Sequence, residues 1–155
     1  MAGTLATLKF RRLTSTATLP TRATAGAACF DLYADDTQAL DDMRTRRVIG
    51  TGIAVELPPG HVGLVCSRSG LAAKQGLFVV NAPGVIDEDY RGEIKVILGR
   101  LAYTPQWPDP DVLLIEKGMR IAQLMVLPLP QLEVVEVSEL STTERGVAGL
   151  GSTGV

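Results

Sequence analysis

The sequence predicts an all-β domain, a sandwich or barrel of many short strands. Three observations carry that expectation. Short apolar runs alternate with turn residues almost throughout. The 155 residues include 16 glycines and 9 prolines, too many for long helices. Hydrophobic residues make up 46% of the chain, enough for a real core and too many for general disorder. The length fits a single domain over residues 1–155.

The elements follow in order. Leu8 to Leu13 reads as a first strand and Ala27 to Ala34 as a second, with Asp31 inside an otherwise apolar run. Val48 to Leu57 is long and rich in β-branched residues, and Pro58-Pro59-Gly60 ends it. Val62 to Cys66, Phe78 to Val80, Glu93 to Leu98, Val112 to Ile115, Arg120 to Leu127 and Glu133 to Val137 complete the strands. One short helix is expected, Gly70 to Gln75, stopped by Gly76. The proline-rich stretch from Tyr103 to Asp111, which carries Trp107, reads as a surface loop.

Composition narrows the function. A net charge of -2 argues against a broad electrostatic grip on nucleic acid, though a local phosphate site fits. No secretory pattern and no long apolar span stands out, so the expectation is a soluble, cytoplasmic protein with no membrane partner. Cys29 and Cys66 make neither a disulfide framework nor a metal cluster and read as thiols in a reducing compartment. His61, the single histidine, follows the Pro58-Pro59-Gly60 turn and reads as a surface residue, which argues against a protein zinc site and histidine acid–base chemistry.

The C-terminal stretch from Glu144 to Val155 is rich in glycine and carries Arg145, Ser152 and Thr153. Backbone N–H groups freed by glycine can wrap an anion, and an arginine adds a planar fork for phosphate oxygens. A solvated tail is the bland alternative. The stretch is not a Walker loop: Ser152 stands where the lysine belongs, and no helix has room to follow.

Other stretches suit a nucleotide as well. Between Asn81 and Glu93, Asn81 offers the donor and acceptor pair that suits a pyrimidine edge. Val85 to Asp87 fits a hairpin edge, Tyr90 can lie flat under a deoxyribose, and Asp87 can serve as a general base on water. Alone, this stretch reads equally as a polar hairpin. Cys66-Ser67-Arg68-Ser69-Gly70 places hydroxyls and an arginine at a helix start, which is also what an ordinary helix cap needs. Gly118 to Gln123 alone reads as a turn followed by a half-buried strand.

Taken together and in order, the stretches Ala25–Ala34, Ser67–Gly70, Asn81–Glu93, Gly118–Gln123 and Arg145–Gly154 give the chain a specific resemblance. It resembles the trimeric deoxyuridine triphosphatases, the dUTPases. The resemblance implies a jelly-roll-like β-barrel of the dUTPase or β-clip type, with one short helix and a flexible C-terminal arm, about residues 131–155, exchanged onto a neighbouring subunit of a homotrimer. It implies hydrolysis of dUTP to dUMP and pyrophosphate, which limits uracil in DNA and supplies dUMP for dTMP synthesis. Asn81, Val85, Ile86, Asp87 and Tyr90 would hold deoxyuridine, with Lys95 close by. Asp87 would orient and deprotonate the attacking water. Arg68, Ser69, Gly70 and Gln123 would hold the phosphates. Arg145 with Gly149, Leu150, Gly151 and Ser152 would close over the far end. Mg2+ would ride on the triphosphate, with Asp31 either touching its waters or serving structure.

Three positions depart from the family pattern. Leu150 stands where a phenylalanine usually stacks on uracil, Met119 replaces an acidic residue, and Cys29 replaces a glycine. None removes Asp87, the base-reading asparagine or a phosphate group. Two other readings stay open: a dCTP deaminase of the same fold, and a nucleotide-binding regulatory trimer with weak turnover.

Overall fold

A computed structural model describes residues 6–40, 46–101 and 112–149. In chain order the strands are β1 (Lys9–Arg12), β2 (Phe30–Tyr33), β3 (Gln38–Leu40), β4 (Arg46–Glu56) and β5 (His61–Cys66). Helix α1 (Ser69–Gln75) follows, then β6 (Leu77–Val79), β7 (Gly84–Ile86), β8 (Glu93–Arg100), β9 (Leu113–Ile115) and β10 (Arg120–Pro128). Two four-stranded sheets, ordered β1-β4-β8-β6 and β2-β10-β5-β7, enclose the core, and β3 and β9 form a two-stranded sheet. The strand pairs are antiparallel. This is the jelly-roll type of β fold that the sequence leads one to expect.

Side-chain alternation builds the core. In β8, Ile94, Val96 and Leu98 are buried while Lys95 between them is exposed. They meet Ile49 and Ile53 of β4 and, from the second sheet, Leu32 and Leu124, all at most 1% exposed. Burying each such side chain is worth roughly 1.5–3 kcal/mol. Strand β4 breaks the alternation, because Thr51 to Val55 are buried in succession. The pairing with β8 shifts there, from Gly50 opposite Lys95 to Ala54 opposite Glu93. At the bulge Gly52 takes φ +63 and donates its N–H to Glu93 Oε1 at 2.9 Å, and Thr51 Oγ1 donates to the Ile94 carbonyl at 2.7 Å.

The helix begins one residue earlier than expected and ends at Gly76, which adopts the left-handed conformation at φ 63. The second strand is shorter than the Ala27 to Ala34 run, because Ala27 N–H bonds back to Thr24 and makes a turn first. The strand expected over Glu133 to Val137 does not form, a correction to the sequence reading. Its alternating pattern is real, yet no described strand lies beside it. Leu132 is 82% exposed and Val134 97%, so the segment has neither a ladder nor a core to join. The proline-rich loop with Trp107 lies outside the described residues.

Candidate active site

Strand β7 lies against β5, with Val85 opposite Leu64 and Gly84 opposite Val65. After β7 the chain turns at Asp87, whose carbonyl accepts Tyr90 N–H at 3.1 Å, and returns as β8. Between β7 and β8 opens a cleft of about 350 Å³, lined among others by Asn81, Val85, Ile86, Asp87, Tyr90 and Lys95. That volume falls in the range of small-ligand sites. Every residue expected to read the deoxynucleoside therefore lies on one cleft.

The cleft wall is held from several sides. A Cβ on Gly84 would come within 3.1 Å of Asn81 Nδ2, so the glycine lets the amide sit flush against the strand. Tyr90 hydroxyl donates to the Glu93 carbonyl at 3.0 Å, which pins the ring across the return of the hairpin. Gly92 lies so close beneath that ring that any side chain there would overlap it. Lys95 Nζ stands 3.7 Å from Glu93 Oε2. Glu93, Val65 and Val79 also line the cleft, and the sequence reading did not single them out.

The residues expected to hold phosphate gather elsewhere. On β10, Gln123 lies between Asp31 of β2 and Cys66 of β5, and its amide donates to the Ser67 carbonyl at 3.0 Å. Arg68 Nε bonds Asp31 Oδ1 at 3.1 Å, and one of its terminal nitrogens donates to the Arg120 carbonyl at 3.0 Å. Arg120 in turn reaches Asp31 Oδ2 at 3.3 Å. Asp31, buried at 8% exposure, thus ties two guanidinium groups together. This accounts for a lone carboxylate within an apolar strand. Arg120 was missed as a site candidate. The available signal was a basic residue opening a strand, matched to that buried acid.

Ser69 and Gly70 open α1 beside Arg68. None of Arg68, Ser69, Gly70 or Gln123 lines the cleft that holds Asp87. Arg145 and Gly149 lie in the exposed C-terminal segment. There Arg145 Nε donates to the Ala148 carbonyl at 3.0 Å, around a turn in which Gly146 takes φ +54. Leu150, Gly151 and Ser152 lie outside the described residues.

Cys29 and Cys66 are both unbridged. Burial pushes the Cys29 thiol pKa up, and the nearby Cys66 and Asp31 add to the rise. Among the described residues no group of three His, Cys, Asp or Glu side chains converges as a metal cage.

Fold and cleft define the class, an antiparallel β-barrel of jelly-roll type with a cleft of mixed polar and apolar lining between two of its strands. The dUTPase family model matches residues 15–154, and the chain belongs to that family. The deoxyuridine 5'-triphosphate nucleotidohydrolase of a Hydrogenobaculum species is 47% identical over 148 residues, covering 96% of this chain and 98% of that protein. That of Corynebacterium glutamicum is 50% identical over 150 residues, covering 97% and 96%. The dUTPase of Staphylococcus bacteriophage 80alpha with dUpNHpp superposes with a TM-score of 0.86 at 31% identity, over 96% of this chain and 99% of that one. A mutant dUTPase from phage phi11 of S. aureus, with a coordinated structural Mg(II) ion, superposes with a TM-score of 0.76 at 28% identity, over 86% and 97%.

Proposed function

We propose that this chain hydrolyses dUTP to dUMP and pyrophosphate, with Asp87 activating the attacking water. The observation that carries the reading is one cleft holding Asn81, Asp87, Tyr90 and Lys95 in a member of the dUTPase family. Asn81 reads the uracil edge, helped by backbone groups of β7, and the family resemblance implies a slot that excludes a thymine methyl. Tyr90 lies under the deoxyribose and rejects a 2′-hydroxyl. Lys95 stands beside the nucleotide.

Asp87 takes a proton from water, whose oxygen attacks the α-phosphorus in line with the leaving oxygen of pyrophosphate. Arg68, Ser69, Gly70 and Gln123 hold the phosphates and take up the charge that develops on them. Arg145 with Gly149, Leu150, Gly151 and Ser152 closes the far end and excludes water. Leu150 serves as an apolar lid in place of a stacked ring. We add Arg120 to the phosphate group, because Asp31 holds it beside Arg68.

The donor set suits a magnesium ion carried by the substrate. Both Asp31 oxygens already accept from arginine, yet a carboxylate keeps lone pairs free to receive water. Asp31 would therefore hold the ion through water only. Once bound, magnesium offsets the negative charge of the triphosphate.

The site is shared between chains of a homotrimer. Two features support this: none of Arg68, Ser69, Gly70 and Gln123 lines the Asp87 cleft of a single chain, and the described segment 129–149 is exposed, with Leu132, Val134 and Leu140 in water. Residues 131–155 act as the exchanged arm. No described helix is long and apolar enough to cross a membrane. We place the enzyme in the cytoplasm, where unbridged Cys29 and Cys66 fit the reducing conditions. It takes a free nucleotide rather than nucleic acid.

The test is pyrophosphate release from dUTP, dCTP, dTTP and UTP side by side, with and without magnesium. Release from dUTP alone is the expected result. Ammonia from dCTP would mark a deaminase, and binding without turnover would mark a regulatory trimer.

A further inference from the structure

The Pro58-Pro59-Gly60 turn does more than end β4. Gly60, at φ +70, is held at both of its backbone polar groups. Its N–H donates to Glu88 Oε2 at 2.6 Å, and its carbonyl accepts Leu129 N–H at 2.7 Å. His61 Nδ1 lies 2.9 Å from the Pro59 carbonyl and stiffens the same turn. Glu88 directly follows Asp87, and Leu129 directly follows β10, where the C-terminal segment departs. One glycine thus joins the loop bearing Asp87 to the root of the arm.

A small cavity of about 70 Å³ lies at this junction, lined among others by Gly60, His61, Asp87, Glu88, Leu129 and Gln131. Asp87 lines this cavity and the large cleft alike, so it forms the wall between them. The rest of its loop is fastened within itself: Asp87 carbonyl to Tyr90 N–H, Glu88 carbonyl to the Arg91 guanidinium at 2.6 Å, and Tyr90 hydroxyl to the Glu93 carbonyl. The Glu88 side chain is the described attachment that runs from this loop to the Gly60 turn.

We propose that Glu88 is a positioning residue, whose clasp on Gly60 fixes Asp87 against the substrate and ties it to the root of the C-terminal arm. The proposal rests on Asp87 being the base. The contact is a short hydrogen bond from a backbone N–H to a carboxylate oxygen, 2.6 Å long. A general base must hold its oxygen within hydrogen-bond reach of one water, and a small misplacement costs rate more than binding.

Steady-state kinetics on dUTP test this. Glu88→Ala is expected to lower kcat about tenfold while KM stays within about twofold. Glu88→Gln, whose amide oxygen still accepts from Gly60, is expected to keep most of the rate. In an Asp87→Asn background, Glu88→Ala is expected to add no further loss, because the group it positions is gone. An Asp87→Asn variant with full activity removes the base and the clasp together. An inactive Asp87→Asn beside an unimpaired Glu88→Ala, or a Glu88→Gln as slow as Glu88→Ala, removes the clasp alone.

Discussion

Asp87 sits at the bend where β7 turns toward β8, on the rim of a cleft that also holds an amide, a phenol and an ammonium group. On the proposed mechanism, replacing its carboxylate by an amide keeps the shape but removes the proton acceptor. Asp87→Asn is therefore expected to bind dUTP as well as the parent and to lose roughly 10²–10⁴-fold in kcat. Titration calorimetry with a non-hydrolysable analogue and a pyrophosphate assay read the two halves of that expectation.

Asp35 works on stability instead. Partial desolvation opposes its charge, but the Thr14 and Thr16 hydroxyls donate to it at 2.6 and 2.8 Å, and Lys117 adds attraction. Its pKa in the folded chain lies below the ordinary carboxylate value. A group whose folded pKa is lowered stabilises the fold above its unfolded pKa, about 4, and loses that contribution as pH falls through the folded value. Urea midpoints measured from neutral pH downward are expected to drop across that window. In Asp35→Asn the drop is expected to be shallower.

At the scale of the elements, the β4 bulge is the most exacting feature. A Cβ on Gly52 would stand 2.7 Å from Asp35 Oδ2 and 2.8 Å from both Ala17 Cβ and Thr14 Oγ1, at a backbone angle that side chains rarely adopt. Gly52→Ala is expected to cost about 1–3 kcal/mol in urea unfolding, with the turnover of the folded fraction unchanged. The bulge also marks the edge of what sequence patterns reveal. Val48 to Leu57 reads as a strand, and its glycines, Gly50 and Gly52, are the sign in it that the register slips between Gly50 and Ala54.

Strand β8 was legible over Glu93 to Leu98 because Ile94, Val96 and Leu98 are buried in alternation, and it runs two residues further, to Arg100. Strand β3 was missed, since Gln38–Leu40 is too short to show a period. Glu133 to Val137 misled for the opposite reason: alternation describes a strand's preference, not the presence of a neighbour to pair with. Within the candidate site, Asn81 and Asp87 come to one cleft as their place in a single stretch leads one to expect. Arg120 was not legible, because its meaning lies in Asp31, far off in sequence and adjacent only once β2 pairs with β10.

At the scale of the whole molecule, the proposal that Asp87 and Arg68 of different chains share a site has a direct test. If each site draws on neighbouring chains, inactive Asp87→Asn and Arg68→Ala subunits complement one another when unfolded together and refolded. Random assortment then restores about one site in four. A site contained within one chain would recover none. The assay is pyrophosphate release by the mixture against each variant refolded alone.

The bare stretch from Leu132 to Leu140 has a consequence for the life of a newly made copy. If the chain works as the proposed trimer, each copy carries this row of aliphatic side chains in water until it meets its partners. Assembly of such a trimer would be a race between correct association and clumping, and slow expression or an attendant holdase would favour the first.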